Sequence, residues 1–240
     1  MRKQFKKSKI KKIHRSTQQK SKLAIILLGR PGSGKGTQAD LLAKKLGLFH
    51  FEMSDFLQKI FKEKPRDSEV KKAKKQFDAG KLVSADFIVK LDIDTIKKIR
   101  QQNKGIIFDG PFRLIEEAKR GYPVLVKEYG KNNIKIFDIK ISPQEAIWRN
   151  TRRKICLKCD TPIPYNSETK DLKICPIKGC GGKLITRKDD NPKIIKRRLR
   201  VFMKETQPVI NYFRRQGLLI EINGEQSIPN VFKDILKKLK

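Results

Sequence analysis

The sequence lacks any apolar run that approaches the length of a membrane span, and its first 22 residues lack the apolar core of a secretory signal. We therefore expect a soluble, cytoplasmic protein with no membrane partner. The sequence has no internal repeat either. Its 240 residues, of which 38% are apolar, suffice for one domain with insertions and a genuine hydrophobic core.

Acidic residues are scarce, since 25 Asp and Glu stand against 58 Lys and Arg and leave a formal charge of +33. Residues 1–22 alone contain ten Lys or Arg and no acidic residue. A positive field of this size attracts polyanions, so nucleotides and RNA are candidate partners. We expect residues 1–22 to form a disordered basic tail that binds nucleic acid or another polyanion. A lysine-rich composition without a function of its own explains the tail equally well.

A glycine-rich turn follows the first apolar run, between a predicted buried strand at 23–28 and a predicted amphipathic helix. Its sequence, Gly29-Arg-Pro-Gly-Ser-Gly-Lys35, fits the phosphate-loop pattern of a glycine, four residues and Gly-Lys. In such a loop the backbone N–H groups and the helix N-terminus bind phosphate, and the lysine reaches the outer phosphates. A plain turn between strand and helix is the alternative. The candidate nucleotide-binding residues here are Gly29, Gly32, Ser33, Gly34, Lys35, Gly36 and Thr37.

A second predicted strand is apolar until it ends in Asp109. In a parallel α/β sheet this position lies at the carboxyl edge, beside the phosphate loop, where a carboxylate can hold Mg²⁺ through water. An aspartate at the end of a strand is also an ordinary turn former. Asp109 is therefore a candidate magnesium residue with a structural alternative.

The chain has only four cysteines, and all of them fall in one stretch with the spacing C-x2-C-x15-C-x4-C. Two close pairs of thiolates suit a tetrahedral zinc ion with no open coordination position, which indicates a structural role. Few large apolar residues surround them, so the metal would replace a missing core. Four free thiols or two disulfides are the alternatives. The predicted zinc ligands are Cys156, Cys159, Cys175 and Cys180.

The complete loop reads G-x-P-G-x-G-K-G-T-Q, with Gly36 where a general Walker loop has Ser or Thr, and Thr37 one position later. This form resembles the adenylate kinase family, and the resemblance extends over nearly all of residues 23–240. It implies an α/β P-loop kinase core with a five-stranded parallel sheet, a helical lobe that binds the acceptor nucleotide, and a zinc lid. The implied segments are the core at 23–53, 84–153 and 187–240, the acceptor lobe at 54–83 and the lid at 154–186.

The resemblance also implies ATP with Mg²⁺ as the phosphoryl donor, and a set of basic residues around the transferred group. Asp109-Gly-Pro-Phe-Arg113 is similar to the family's Asp-Gly-Phe-Pro-Arg with the central pair exchanged. Arg149 and Arg153 match a pair that reaches the donor nucleotide, and Asp189 and Asp190 match the acidic pair that orients the closed lid. The residues implied to act on the phosphoryl group are Lys35, Asp109, Arg113, Arg153, Arg187 and Arg198.

The acceptor site matches the family less closely. Met53 and Gln58 stand where the family has a base-contacting threonine and a phosphate-binding arginine, and Glu117 replaces a base-reading glutamine. An ionised carboxylate only accepts hydrogen bonds, which suits the two adjacent donors of guanine better than the edge of adenine. The predicted acceptor-binding residues are Met53, Asp55, Gln58, Lys81, Leu82, Val83, Gly110, Arg113, Glu117, Arg187 and Arg198.

These features together predict a monomeric nucleoside monophosphate kinase of nucleotide biosynthesis, which converts ATP and AMP into two ADP. Two alternatives stay open. The acceptor is GMP in the first, and the second is an RNA-binding P-loop and zinc-ribbon protein whose kinase activity is weakened. The missing threonine and arginine favour the second alternative, while the presence of Arg113, Arg187 and Arg198 argues against it.

Overall fold

A computed structural model describes residues 22–186 and 190–239. Its central sheet contains five parallel strands in the order β2-β3-β1-β4-β8, which confirms the predicted fold class. A small antiparallel sheet has the order β6-β5-β7. The strands are β1 Ala24–Leu28, β2 Phe49–Glu52, β3 Ile106–Asp109, β4 Ile134–Lys140, β5 Lys154–Cys156, β6 Pro162–Ile163, β7 Leu184–Thr186 and β8 Leu219–Asn223.

Helices connect the strands and cover both faces of the central sheet. A short 3-10 helix, Lys131–Asn133, precedes β4, and a π-helical turn, Phe202–Thr206, joins the seventh α-helix to the eighth. None of the helices in the described parts of the chain combines the length and the apolar character that crossing a membrane requires. The α-helices are α1 Lys35–Leu46, α2 Met53–Glu63, α3 Ser68–Asp78, α4 Ala85–Gln101, α5 Ile115–Tyr129, α6 Pro143–Arg152, α7 Pro192–Val201, α8 Gln207–Arg215 and α9 Ile228–Lys238.

The core lies on both sides of the central sheet because alternate side chains of each strand point to opposite faces. Ile26 and Phe108 pack with α2 to α5 and α8, whereas Ile25 and Ile107 pack with α1 and α9. All five residues of β1 are at most 2% exposed. Burial on both faces explains why this strand is a continuous apolar run in the sequence.

The parallel register brings the carboxyl ends of neighbouring strands together at one edge of the central sheet. Leu27 of β1 pairs with Asp109 of β3, and Asp109 lies opposite Glu52 of β2. The glycine-rich turn follows β1 at this edge, and α2 follows β2 directly. Ligands of open parallel α/β sheets bind at this edge, so the fold itself selects the position of the candidate site.

The two segments that interrupt the core differ in structure. Helix α2 begins directly after β2 at Met53, and apart from this residue α2 and α3 fall within the predicted acceptor lobe at 54–83. Strands β5, β6 and β7 form the small sheet within the predicted lid at 154–186. Residues 1–21 of the predicted basic tail lie outside the described residues. The domain boundaries stay predictions.

Candidate active site

The glycine-rich turn between β1 and α1 has a backbone that only glycine adopts readily. Gly32 has a φ of 87°, and a Cβ built on it would lie 2.3 Å from the side-chain nitrogen of Asn150. Gly34, with a φ of 91°, caps α1 and offers no side chain to its first N–H groups. Free N–H groups at a helix N-terminus attract an anion, so the turn has the geometry of a phosphate-binding loop.

Lys35 folds back over this loop. Its Nζ donates to the carbonyl oxygens of Gly29 at 2.9 Å and Arg30 at 3.1 Å. The pKa of Lys35 is lowered to about 8, mainly by burial; the charge of Asp109 opposes this shift, and the charges of Arg113 and Arg198 add to it. A Cβ built on Gly110, directly after Asp109, would lie 3.2 Å from Nη2 of Arg113, so this guanidinium group lies back against the end of β3. Basic side chains therefore lie at the phosphate loop and at the end of β3, as the binding of a polyphosphate requires.

Asp190 joins two of the predicted arginines. Its Oδ2 accepts from Nε of Arg153 at 2.5 Å, its Oδ1 accepts from Nη2 of Arg153 at 2.8 Å, and Nη1 of Arg198 lies 3.8 Å from Oδ1. The Asp190 side chain has no exposed surface. A bidentate pair of this kind fixes the plane of the guanidinium group. Arg187, the remaining predicted arginine, lies outside the described residues.

Arg149 is held by contacts within the protein. Its Nε donates to Glu145 at 2.6 Å, one helical turn earlier, and its Nη2 donates to the carbonyl oxygen of Gly224 at 2.8 Å. Both contacts orient the guanidinium group beside the loop that follows β8. Binding of the donor nucleotide by Arg149 stays a prediction.

Asn150 supports the phosphate loop and was missed by the sequence analysis. Its side chain has no exposed surface, and its amide donates to the carbonyl oxygens of Pro31 at 3.1 Å and Ala146 at 2.6 Å. This contact ties the loop to α6. Nothing in the sequence distinguishes Asn150 from an ordinary polar helix residue, because its partner Pro31 lies 119 positions away.

The loop after β3 turns sharply in order to bury an aromatic ring. Phe112 has a φ of 61°, which is rare for a residue with a large side chain, and it has no exposed surface. Its ring packs edge-on against Phe108 and Phe213, and a Cβ on Gly121 would lie 3.1 Å from it. The exchanged Pro and Phe therefore leave the aromatic ring in the core, next to Arg113.

Glu117 contacts this loop rather than open space. Its Oε2 accepts from the backbone N–H of Arg113 at 2.7 Å, and the residue is only 2% exposed. Burial raises the pKa of Glu117 to about 7, although backbone hydrogen bonds from Arg113, Leu114 and Phe112 favour the ionised form. Glu117 therefore fixes the start of α5. Reading of the acceptor base by Glu117 stays a prediction, and its carboxylate already has a partner within the protein.

The other predicted acceptor residues lie at different depths. Met53 and Val83 are each 5% exposed and belong to the core cluster on one face of the sheet. A Cβ on Gly110 would lie 3.2 Å from Met53, so the strand-end loop passes closely over α2. Leu82 is half-buried, and the exposed members of the set are Asp55, Gln58 and Lys81.

The four cysteines meet at one end of the small sheet. Cys156 and Cys180 have their sulfur atoms 3.6 Å apart, and those of Cys159 and Cys175 are 3.7 Å apart. The four sulfur atoms all lie within 4.8 Å of one another, and none forms a disulfide. Zinc-sulfur bonds of about 2.3 Å in a tetrahedron require sulfur separations of about 3.8 Å, so the cluster fits a zinc ion.

The central sheet, the phosphate loop and the basic residues around it define a P-loop phosphotransferase with a four-cysteine insert. The chain belongs to the adenylate kinase family, because the sequence model described as "Adenylate kinase" matches residues 27–218. It is 34% identical over 220 residues to the adenylate kinase of Caldicellulosiruptor bescii, covering 90% of this chain and 99% of that protein.

Two further relatives have a similar sequence identity to this chain. The adenylate kinase of Clostridioides difficile is 34% identical over 221 residues, which cover 90% of this chain and 98% of that protein. That of Staphylococcus aureus is 35% identical over 215 residues, which cover 88% of this chain and 96% of the relative. The matched segments leave most of the basic N-terminal residues uncovered, since the family match begins at residue 27.

Proposed function

We propose that this chain transfers the terminal phosphoryl group of ATP to AMP and so forms two molecules of ADP. The observation that carries the proposal is the set of fixed basic side chains: Lys35 folds over the phosphate loop, and the buried Asp190 pairs with Arg153 and Arg198. Membership of the adenylate kinase family supports the same reaction, and its relatives carry that name. Two nucleotides together bring several negative charges, which a single lysine would not balance.

The reaction needs positioning and charge stabilisation more than acid-base chemistry, because charge spreads over the phosphoryl oxygens in the transition state. Lys35 would bind the outer phosphates of ATP, and Arg113 would hold the acceptor phosphate against the transferring group. Arg153 and Arg198 would stabilise the developing charge from the opposite side. Asp190 holds Arg153 through two hydrogen bonds and lies 3.8 Å from Arg198, so the Arg153 guanidinium group is oriented before the nucleotides bind.

Asp109 and Thr37 are the residues that would hold Mg²⁺ next to the phosphates, Asp109 through water. Magnesium neutralises part of the charge on the phosphoryl oxygens when it is bound. A Cβ on Gly36 would lie 3.0 Å from Oδ2 of Asp109. The glycine that follows Lys35 therefore leaves room for the aspartate at the point where other P-loops carry a hydroxyl group.

The four cysteines would hold one Zn²⁺ with a closed tetrahedral set of thiolates. Such a site contributes to folding rather than to the chemical step. The buried cluster around it is small, with Ile163 and Leu184 as its only members besides the cysteines themselves within the described part of the chain. The metal would therefore supply much of the stability of residues 154–186.

AMP is the acceptor we propose, on the strength of the family. Met53 and Glu117 are the positions that favour a different acceptor base, and GMP is the alternative that their chemistry supports. Gln58, in place of a phosphate-binding arginine, favours the weakened-kinase alternative instead. The monomeric state and the binding of nucleic acid by residues 1–22 stay predictions.

A coupled assay that follows ADP formation from ATP and AMP tests the proposal. Turnover that depends on AMP and Mg²⁺ supports it, and so does its loss in Lys35→Ala. RNA binding without AMP-dependent ADP formation would favour the weakened-kinase alternative instead.

A further inference from the structure

A second cluster of metal-binding side chains lies at the carboxyl edge of the central sheet, beside the phosphate loop. His50, Glu52 and Asp109 each place a potential ligand atom within 4.8 Å of the other two. His50 and Glu52 are alternate residues of β2 and therefore point to the same face of the sheet. Asp109 is the β3 partner of Glu52 in the parallel register, so it shares that face. The backbone itself thus brings the three side chains together.

The imidazole of His50 is oriented for binding a metal. Its Nδ1 lies 2.9 Å from Oδ1 of Asp40 on α1. When Nδ1 carries the proton and donates to Asp40, Nε2 presents its lone pair. That Nε2 atom is buried and has no hydrogen-bond partner among the described residues. A carboxylate that holds one ring nitrogen while the other faces acidic side chains is the usual surrounding of a metal-bound histidine.

The neighbouring elements position the two carboxylates. Gly36 precedes Asp40 by one turn of α1, and a Cβ there would lie 3.0 Å from Oδ2 of Asp109. The hydroxyl of Ser54 donates to Oε1 of Glu52 at 3.1 Å, which orients that carboxylate. In a chain of net charge +33, this concentration of carboxylates next to an unpartnered imidazole nitrogen is unusual.

A proton is the competing occupant. Burial lowers the pKa of His50, but the hydrogen bond with Asp40 and the charges of Asp40, Asp109 and Glu52 outweigh it, so that the pKa of His50 is raised. A protonated imidazole would donate from Nδ1 to Asp40 and balance part of the charge of the carboxylates without any ion. The two cases differ in one measurable property. A site with a neutral imidazole takes up metal at neutral pH, whereas a site closed by a protonated imidazole does not.

We propose that His50, Glu52 and Asp109 form a binding site for one divalent first-row transition ion such as Mn²⁺. An imidazole with two carboxylates suits Mn²⁺, Fe²⁺, Co²⁺ or Zn²⁺, whereas Mg²⁺ prefers oxygen ligands alone and gives up its water reluctantly. Three protein ligands leave open positions in the coordination shell of the ion. The site goes beyond the proposed function, which uses Asp109 alone and through water, and it requires no nucleotide.

The test uses the full-length protein with zinc bound to its cysteines and with no nucleotide present. Mn²⁺ is titrated in at neutral pH, and the free ion is measured by electron paramagnetic resonance. Mn²⁺ does not displace zinc from thiolates, because it is the weakest binder of the divalent series. The proposal predicts one bound Mn²⁺ per chain, displaced by Mg²⁺ only at a concentration at least about 10-fold higher.

Variants assign the bound ion to these residues. His50→Ala and His50→Gln should each weaken Mn²⁺ binding by about 100-fold, and Asp40→Asn should weaken it by about 10- to 100-fold through loss of imidazole orientation. Glu63→Gln, an exposed carboxylate on α2, is the matched control and should leave binding unchanged. Circular dichroism checks that each variant is folded.

Absence of Mn²⁺ binding to the wild-type protein would overturn the proposal in favour of the protonated imidazole, and so would Mn²⁺ binding that both His50 variants retain. Neither result depends on kinase activity.

Discussion

Asp190 receives both arms of the Arg153 guanidinium group, at 2.5 Å from Nε and 2.8 Å from Nη2. The same carboxylate lies 3.8 Å from Nη1 of Arg198. One buried acid therefore fixes Arg153 and also pairs with Arg198, two arginines that the proposed reaction requires. The conformational entropy of these long side chains is therefore lost during folding, before any nucleotide binds.

We expect Asp190→Asn to lower both stability and turnover. Asparagine can accept one hydrogen bond from Arg153 but carries no charge, and lost hydrogen bonds to charged groups cost about 1.5 to 3 kcal/mol each. Turnover should fall by about 10- to 100-fold because Arg153 and Arg198 lose their fixed orientation. Urea unfolding and the steady-state assay measure the two effects.

Glu221→Gln is the matched control for this prediction. Glu221 pairs with Arg214 at 2.8 Å on the surface of the protein. Exposed ion pairs contribute less than about 1 kcal/mol. If Asp190→Asn lowered stability and turnover no more than Glu221→Gln does, the pairing of Asp190 with Arg153 would contribute no more than an exposed ion pair.

The purified, reduced protein should contain about one zinc ion per chain, because closed four-thiolate sites bind zinc tightly. Cys156→Ala should lower the melting temperature and increase proteolysis of residues 154–186, since the metal supports a very small core. Elemental analysis and limited proteolysis are the measurements. Re-adding zinc after chelation should restore the wild-type protein but not the variant. A zinc-free protein of unchanged stability would contradict the assignment.

Glu117→Gln should stabilise the protein more at alkaline than at acidic pH. The pKa of Glu117 is raised from 4.5 to about 7 on folding. Its contribution to stability is therefore complete below pH 4.5, the unfolded-state pKa, and is lost as the pH rises through about 7, the folded-state pKa. The full shift corresponds to about 3 kcal/mol. The glutamine oxygen can still accept from the N–H of Arg113. Urea unfolding at several pH values should therefore show the gain growing between about pH 4.5 and 7.

The same variant tests the choice of acceptor base. kcat/KM for AMP, GMP, CMP and UMP should be compared in the wild-type protein and in Glu117→Gln. We expect AMP to be preferred by both, because the carboxylate of Glu117 already accepts from the loop backbone. A wild-type preference for GMP that the substitution reverses would show instead that Glu117 reads the base.

A chain that begins at Leu23 should retain full kinase activity and lose most of any salt-dependent affinity for RNA. Residues 1–22 carry ten positive charges, and each phosphate contact contributes to the salt dependence of binding. Fluorescence anisotropy with a short RNA at several salt concentrations compares the two proteins. Equal affinities at matched ionic strength would assign RNA binding to the folded part of the chain.

The central sheet and the phosphate loop were predictable because their signals are local. β1 is buried on both faces and is therefore a continuous apolar run. The phosphate loop has its glycines and Lys35 in one uninterrupted stretch. Spacing likewise identified the four cysteines, whose sulfur atoms the structure brings together.

The features that escaped prediction depend on contacts between distant parts of the chain. Asn150 bonds to Pro31 across 119 positions, and the left-handed backbone of Phe112 follows from packing against Phe213. The contact of Glu117 with the backbone of Arg113 depends on the path of that same loop. Sequence spacing carries no information about such packing.

The most direct test of the central claim follows the phosphoryl group itself. The protein is incubated with Mg²⁺, unlabelled AMP and ATP radiolabelled at its terminal phosphate, and the products are separated. We predict that the label appears in the outer phosphate of ADP, with two ADP formed for each ATP consumed and almost no inorganic phosphate. Label released as inorganic phosphate, or label that stays in ATP when AMP is present, would contradict the account.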